Sequence, residues 1–388
     1  MRVLIATDCF TGTLSASQAA EAIAAGWRRG AAPDELTLLP LSDGGPGFLD
    51  VLSAALGGVT VSVDVADPLG RPVPAAVLIV ESGGGRTAYI ESAQACGLHL
   101  LSGGERNPMI TSTYGVGQLI EVAVAQGARR VVVGLGGSGT NDGGAGMLAA
   151  LGAGAAGALS AGGAKLRDLD DEDLPGLTQV RERLRAVELV LATDVDSPLL
   201  GMHGASAVFG PQKGATPEMA QELESALGRF TDVVRRSAPP AGDLLTGKER
   251  RCDWEPGAGA AGGLGYGLLL LGGRRVRGVQ AVLEAVGFDA LVQAHDLVVT
   301  GEGTFDWQSL RGKVVAGVAE AALARAKPTV VIAGQTHVGR RDAMALGISG
   351  TYAVAENPAE VAAALADPGG TLSARSERVA TTWSPRRP

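Results

Sequence analysis

Six short loops of this sequence are rich in glycine, carboxylate, hydroxyl or lysine residues. Consecutive glycines let backbone N–H groups approach an anion closely, and a helix that begins after such a loop adds its positive end. Carboxylates in such loops are the hard oxygen ligands that Mg²⁺ prefers. Glycine clusters also form tight turns, but six loops of this composition together predict a site for a polyphosphate and a divalent cation. The loops are residues 42–45, 136–144, 193–196, 210–214, 256–263 and 301–306.

Asp194 is a candidate functional residue because of its place behind a strand. Asp194 and Asp196 follow the apolar run 187–192, which predicts that they lie at the C-terminal end of a β-strand. Proteins of the α/β class bind ligands at that end. The four histidines are scattered along the chain, which indicates packing or surface roles rather than catalytic bases.

Two familiar nucleotide-binding patterns fit poorly. Residues 134–139 match GxGxxG directly after a predicted strand, but the next acid is Asp142, whereas a dinucleotide fold places one about 20 residues further on. Residues 242–248 match GxxxxGK, but Glu249 stands where a P-loop needs a hydroxyl. The P-loop is therefore rejected, and a nicotinamide-dependent oxidoreductase that uses Gly134 to Gly139 stays as an alternative.

The elements that must position these loops alternate between strand and helix at both ends of the chain. This alternation predicts an α/β fold with a parallel sheet covered by helices. Neither end supplies enough strands alone, so we expect a Rossmann-like domain built from both chain ends, residues 1–68 plus 290–372. A second α/β domain, residues 69–289, is inserted, and 373–388 is expected to be a disordered tail. Strands are predicted at 3–6, 36–39, 295–300, 329–333 and 351–354, and helices at 15–27, 48–56 and 313–326.

Composition excludes several classes of protein. An apolar fraction of 46% and a positive mean hydropathy exclude a long disordered chain. A net charge of −8 disfavours binding to nucleic acid or to an anionic membrane. The three cysteines are far apart and predict neither a disulfide framework nor a zinc site. No segment reads as a signal peptide or membrane span, so a cytoplasmic enzyme is expected.

In their order along the chain, these loops resemble the glycerate kinase family, the bacterial type with two α/β domains. The resemblance covers nearly the whole chain, and its motifs are long. They are DPLGRPV (67–73), NPMITSTYGVGQLI (107–120), GLGGSGTNDGGAGM (134–147), ATDVDSPLLG (192–201), VFGPQKGA (208–215), PGAGAAGGLGYG (256–267) and LVVTGEGTFDWQSLRGK (297–313).

The resemblance implies ATP-dependent phosphorylation of D-glycerate, most often at the 2-hydroxyl, with Mg²⁺ and in a cleft between the domains. On this hypothesis Asp194 or Asp43 accepts the hydroxyl proton, and Lys213 or Lys313 pairs with the phosphoryl group or the glycerate carboxylate. The expected metal ligands are Asp43, Asp194, Glu302 and Asp306. The expected ATP-binding residues are Gly44, Gly45, Gly136, Gly137, Ser138, Thr140, Asn141, Gly259, Gly301, Glu302 and Lys313.

The sequence departs from the family pattern near its N-terminus. Thr11 stands where members usually have a basic residue, and Pro46 stands where they have a carboxylate. If those two side chains contact substrate, the preferred acid differs here, so a kinase for a related small hydroxy acid or sugar acid is an alternative, as is a non-catalytic sensor. The expected partner is a small-molecule substrate, with no nucleic acid and no membrane, and the chain is expected to be a monomer or homodimer.

Overall fold

The computed structural model describes residues 1–239, 250–310 and 312–384 and is an α/β protein with two compact units. Unit 1 comprises residues 1–43, 50–56 and 277–388, and unit 2 comprises residues 44–49 and 57–276. Both chain ends therefore lie in one unit, as the sequence predicted. The GxxxxGK pattern at 242–248 lies outside the described residues.

Unit 1 is built on a parallel sheet of five strands. They are β1 (Arg2–Ile5), β2 (Glu35–Leu38), β9 (Leu297–Thr300), β11 (Thr329–Ala333) and β13 (Ile348–Ala353), and a separate pair is formed by β10 (Thr304–Phe305) and β12 (Gln335–Thr336). The order across the five-stranded sheet is β13-β11-β9-β1-β2, and every neighbouring pair is parallel. Strands β9 and β11 are fully buried apolar runs, as expected for strands that are covered on both faces.

The first helix of unit 1 begins at an ordinary sequence signal. Ser15 caps the first helix and forms a capping box with Gln18, as the serine-rich start of that segment predicts. The helices are α1 (Ala16–Gly30), α2 (Phe48–Leu56, whose first two residues belong to unit 2), α11 (Gly278–Ala285), α12 (Phe288–Ala294), α13 (Val314–Ala324), α14 (Arg340–Ala345), α15 (Pro358–Ala366) and α16 (Pro368–Trp383).

The prediction of a disordered tail is wrong for residues 373–383, which belong to helix α16. Leu372, Val379 and Ala380 recur at helical spacing and are buried in the core of unit 1. Helix α1 approaches this helix closely, because a Cβ atom on Gly26 would lie 1.9 Å from the backbone oxygen of Ser373. Burial against α1 therefore orders a segment that would be marginal alone.

Unit 2 contains a mixed sheet of six strands. They are β3 (Val59–Ala66), β4 (Pro72–Ser82), β5 (Gly85–Glu91), β6 (Arg130–Gly134), β7 (Glu188–Ala192) and β8 (Arg274–Val276). The strands follow one another across the sheet in chain order; the first three pair antiparallel and the last four pair parallel. The helices are α3 (Ala93–Cys96), α4 (Tyr114–Ala125), α5 (Ala145–Ala150), α6 (Ala156–Leu159), α7 (Leu177–Leu184), α8 (Ala205–Phe209), α9 (Pro217–Ser237) and α10 (Ala260–Leu270).

Among the described residues, no helix is both long enough and apolar enough to cross a bilayer.

Candidate functional site

The strand order of unit 1 defines where a ligand would bind in that unit. The strand that follows β1 in sequence, β2, lies on one side of it, and β9, β11 and β13 follow one another on the other side. The direction of winding therefore reverses between β1 and β9, and such switch points form crevices at the carboxyl ends of the strands. The two loops there are joined directly, since the Asp8 N–H and the Thr7 hydroxyl both donate to the Gly301 carbonyl, at 2.9 and 2.8 Å.

Three carboxyl groups of unit 1 lie close enough at this edge for their charges to interact. Asp8 follows β1, Asp43 follows β2 and Glu302 follows β9. Burial, together with the charges of Asp43 and Glu302, raises the pKa of Asp8 to about 7, against a lowering hydrogen bond from the Cys9 N–H. Burial likewise raises the pKa of Glu302 to about 7. The edge therefore concentrates negative charge that a cation could neutralise.

The loop that carries Glu302 leaves one oxygen of this carboxyl group without a hydrogen-bond partner among the described residues. The positive charge of Lys313 attracts the carboxylate of Glu302. Its Oε1 atom is buried without a hydrogen-bond partner in the described structure. Asp306 is differently engaged, because its Oδ1 accepts the backbone N–H groups of Gln308 at 2.8 Å and Ser309 at 3.3 Å. Glu302 therefore offers a ligand atom, whereas Asp306 mainly holds the turn.

The donor set at this edge fits a magnesium ion that is shared with a phosphate. The described part of the chain contains no group of three or more His, Cys, Asp or Glu side chains that could hold a metal alone. Mg²⁺ is commonly bound by only one or two carboxylates, with water and substrate phosphates completing its shell. The buried Oε1 of Glu302 is the kind of atom that such an ion would satisfy.

In unit 2, the glycines predicted to bind phosphate are packed closely against other backbone segments. A Cβ atom on Gly136 would lie 2.4 Å from the Cα of Gly45, and one on Gly44 would lie 2.9 Å from the carbonyl oxygen of Ala192. A Cβ on Gly259 would lie 2.3 Å from the carbonyl oxygen of Pro198. These glycines therefore let the segment of Gly44 and Gly45 pack against the ends of β6 and β7, and let Gly259 pack against the loop after β7. Gly301 in unit 1 is similarly constrained by the carbonyl of Ile332, at 2.1 Å.

Pro46 and Gly137 belong to the same contact. A Cβ atom on Gly137, whose φ is +70°, would lie 2.9 Å from the Pro46 ring. Pro46 therefore packs against the loop that follows β6. Thr11 lies in unit 1, exposed in the turn that is closed by the bridge between Phe10 and Leu14.

The segment that follows β6 holds polar side chains that are fully buried. Asn141 donates from Nδ2 to the Ser206 hydroxyl at 3.0 Å, while its Oδ1 has no hydrogen-bond partner among the described residues. The Thr140 hydroxyl is also buried without a partner in the described structure. Ser138 is buried and forms an isolated bridge with Gly97. These orphaned atoms mark the loop as a place where a ligand or water could bind.

Lys213 lies beside this loop and is 1% exposed. Its Nζ donates to the carbonyl oxygen of Thr140 at 2.7 Å. Burial lowers the pKa of Lys213 to about 8, while the charges of Cys96 and Asp142 act in the opposite direction. Asp142 is itself held by the N–H and hydroxyl of Thr113, at 2.8 and 2.9 Å. The structure therefore shows Lys213 bracing the Thr140 backbone.

The buried amine predicts a pH dependence of stability. In the unfolded chain lysine titrates near pH ~10.4, so between about pH 8 and 10.4 the unfolded state binds more protons than the folded state. The free energy of unfolding should therefore gain a positive contribution as the pH rises through this window and lose it as the pH falls. Urea unfolding of the wild type and of Lys213→Met across this window, from about pH 7.5 to 10.5, measures this contribution as the difference between the two proteins. An equal pH dependence in both proteins would contradict the lowered pKa.

Asp194 follows β7 in unit 2, as predicted. Both of its carboxylate oxygens are buried. The neighbouring Thr193 N–H donates to the Val276 carbonyl at 3.0 Å and so fixes the strand end. Asp196 instead lies at the surface and forms an ion pair with Arg275 at 2.6 Å.

Two acids at strand ends, Asp8 and Glu91, are not among the candidates that the sequence predicts. Asp8 comes shortly after a buried strand, which is the same signal that singled out Asp194, and this signal could have found it. Glu91 ends β5, and its Oε2 accepts the N–H groups of Gly47 at 3.1 Å and Leu49 at 3.2 Å, at the start of α2. Glu91 therefore caps a helix N-terminus, which a carboxylate stabilises.

Comparison with known proteins identifies the family of this chain. The model of the glycerate kinase family matches residues 3–384. A glycerate kinase of Bacillus subtilis (strain 168) is 44% identical over 86% of this chain and 85% of its own length. A glycerate 2-kinase of Escherichia coli (strain K12) is 40% identical over 86% of this chain and 85% of its own. A crystal structure from Salmonella typhimurium LT2, assigned as glycerate kinase 2, superposes with a TM-score of 0.77 at 36% identity, covering 99% of this chain and 98% of that one.

An α/β protein that carries clustered carboxylates at a switch point can bind a ligand and a cation there, as a small-molecule phosphotransferase requires. The chain belongs to the glycerate kinase family. Its activity is accordingly that of a glycerate kinase, a phosphotransferase, and the family implies ATP as a substrate. The oxidoreductase alternative is wrong. A dinucleotide-binding GxGxxG motif leads directly into a helix, whereas here the next helix after β6 begins only at Ala145, six residues after Gly139.

Proposed function

We propose that this chain transfers the terminal phosphoryl group of ATP to the 2-hydroxyl of D-glycerate, with Mg²⁺. The observation that carries this proposal is the interaction of Asp8, Asp43 and Glu302 at the carboxyl edge of the unit 1 sheet. The 2-hydroxyl is favoured because the relative from Escherichia coli carries the name glycerate 2-kinase. The family supports the reaction class, and the proposal adds the position of transfer and the residue roles.

Asp43 and Glu302 are the residues that would hold Mg²⁺. Glu302 has a buried oxygen without a partner among the described residues, and Asp43 lies within electrostatic range of it. When bound, the ion would neutralise negative charge on the phosphoryl oxygens. Lys313, which attracts Glu302, is the nearby cation that could pair with a phosphate oxygen.

Asp8 is the proposed acceptor of the glycerate hydroxyl proton, in preference to the sequence candidates Asp43 and Asp194. Asp8 is partly exposed, and its Oδ1 accepts the Cys9 N–H at 2.7 Å. That hydrogen bond orients the carboxylate and leaves its second oxygen to act. Phosphoryl transfer asks the protein mainly to position groups and to stabilise charge, so an oriented base beside a cation site suits the reaction. The oxygens of Asp194 are buried, which makes it the second candidate.

In unit 2, the loop of Thr140 and Asn141 is a proposed contact for a polar ligand. Two oxygen atoms of this loop, Thr140 Oγ1 and Asn141 Oδ1, are buried without a hydrogen-bond partner among the described residues. A buried polar atom without a partner costs free energy, and a ligand that hydrogen-bonds it would remove that cost. Lys213 would act there through the Thr140 backbone rather than by touching the reacting atoms. Lys213 is thus a positioning residue in this proposal.

Phosphorus NMR of the reaction product tests the proposed function. The purified protein is incubated with ATP, Mg²⁺ and, in parallel, D-glycerate, L-glycerate and other small hydroxy acids. We expect a phosphate monoester resonance that couples to the C2 proton of D-glycerate. Coupling to the C3 methylene protons would move the transfer to the 3-hydroxyl. Faster turnover of a different acid would indicate a kinase for a related hydroxy acid or sugar acid, the alternative suggested by Thr11 and Pro46. ATP binding without turnover of any acid would indicate a non-catalytic sensor.

A further inference from the structure

A cavity of about 140 Å³ in unit 1 lies beside the carboxylate edge and is not used by the residue roles above. Its lining begins one residue after Glu302, at Gly303, and two residues after Asp8, at Phe10. It also includes Gly334, directly after β11. Residues that line the cavity therefore belong to the same loops as the proposed proton acceptor, Asp8, and the proposed metal ligand, Glu302.

Helix α15 supplies an apolar part of the lining, and none of its residues is buried. Val361, Ala364 and Leu365 line the cavity, and Leu365 is 64% exposed. An apolar helix face over an open cavity would be stabilised by a flat apolar group that removed it from water.

The remaining lining is backbone and polar side chain. Gly334 and Gly303 pack tightly, since a Cβ on Gly334 would lie 2.5 Å from the Gly303 oxygen. The Thr304 hydroxyl and the Gln335 amide also line the cavity, and neither forms a hydrogen bond with the described residues. Apolar surface combined with a few hydrogen-bond donors and acceptors suits a heteroaromatic base. The flat face of such a base is apolar, and its edge carries both hydrogen-bond donors and acceptors. A small carboxylate such as glycerate would gain little from the apolar side.

We propose that this cavity binds the adenine base of ATP, between helix α15 and the loops after β9 and β11. The proposal rests on the proposed function, because it assigns a subsite of the same ATP. Bound there, the nucleotide would have its base against Ala364 and Val361 and its phosphates toward the loop of Glu302.

The matched variants Ala364→Trp and Ala363→Trp test the cavity. Ala364 lines it, whereas Ala363 is exposed on the same helix and does not. Titration calorimetry with ADP is expected to show at least tenfold weaker binding to Ala364→Trp and an unchanged affinity for Ala363→Trp. Inorganic tripolyphosphate, which lacks the base, should bind both variants as it binds the wild type. Circular dichroism verifies that both variants are folded.

A second, milder variant keeps the cavity and changes its polar edge. Gln335→Leu removes the amide, so we expect the preference for ATP over GTP to change at least fivefold. Unchanged ADP affinity in Ala364→Trp would overturn the proposal, and a raised KM for D-glycerate with unchanged ADP affinity would assign the cavity to the acid instead. Because ADP binding is measured without turnover, a protein that binds ADP in this way but phosphorylates no glycerate would refute the proposed function and leave the adenine site standing.

Discussion

Replacing Asp8 with asparagine is expected to lower kcat by a factor of about 10² to 10⁴, the usual contribution of a positioned general base. The amide keeps the shape of the side chain and can still accept the Cys9 N–H hydrogen bond, which is 2.7 Å long in the structure. The variant should therefore fold and bind ATP while it loses the group that takes the proton. Steady-state kinetics at saturating ATP, Mg²⁺ and D-glycerate measure the effect.

Two further asparagine variants serve as matched controls. Asp43→Asn should raise the Mg²⁺ concentration needed for half-maximal rate, because Asp43 is a proposed metal ligand, and Asp8→Asn should leave that concentration unchanged. Asp194→Asn should lower kcat less than tenfold. If the large loss appeared with Asp194→Asn and not with Asp8→Asn, the proton acceptor would lie in unit 2 and the assignment of Asp8 would be wrong.

Replacing Gly262 with alanine is expected to reduce the free energy of unfolding by about 3 to 5 kcal/mol. Gly262 has a φ of +68°, and a Cβ there would lie 1.9 Å from the carbonyl oxygen of Thr140. A left-handed conformation in a non-glycine residue costs on the order of 1–3 kcal/mol, and forced overpacking costs a similar amount. The same carbonyl oxygen of Thr140 accepts the hydrogen bond from Lys213 Nζ, so its displacement would also disturb that bond. Urea unfolding followed by circular dichroism measures the loss.

Gly228→Ala is the control for this change. Gly228 lies inside helix α9, and a Cβ there would meet nothing within 4 Å. Alanine should therefore raise the free energy of unfolding by about 0.5–1 kcal/mol, because glycine is the more flexible residue in the unfolded chain. If Gly262→Ala lowered the free energy of unfolding by less than about 1 kcal/mol, the loops of Gly262 and Thr140 could move apart at little cost in free energy. Their close packing would then not be the reason for glycine at this position.

Local signals predicted individual elements of unit 1 well. The helix Phe48–Leu56 and the strand Thr329–Ala333 have the predicted bounds, and Ser15 caps its helix as expected. These features depend on side-chain periodicity and on hydrogen bonds within one turn. The tail shows the limit of such reasoning, because residues 373–383 become helical through contact with α1, at the other end of the chain.

The glycine clusters could not be interpreted without the structure. A phosphate-binding loop and a tightly packed loop have the same composition, because both need backbone that is free of side chains. A Cβ atom on Gly136 or on Gly259 would lie within 2.4 Å of another backbone segment. Only the position of the second segment distinguishes close packing from an open cradle.

Residue periodicity and long ordered motifs were sufficient to establish the α/β class, the contribution of both chain ends to one sheet, and the family. They could not establish which acids meet, because that depends on which strands are neighbours. Asp8, Asp43 and Glu302 are brought together by the pairing of β9 with β1 and of β1 with β2. Strand order is set by burial of the whole sheet rather than by any one segment, so the identity of a neighbouring carboxylate cannot be read from the residues beside it.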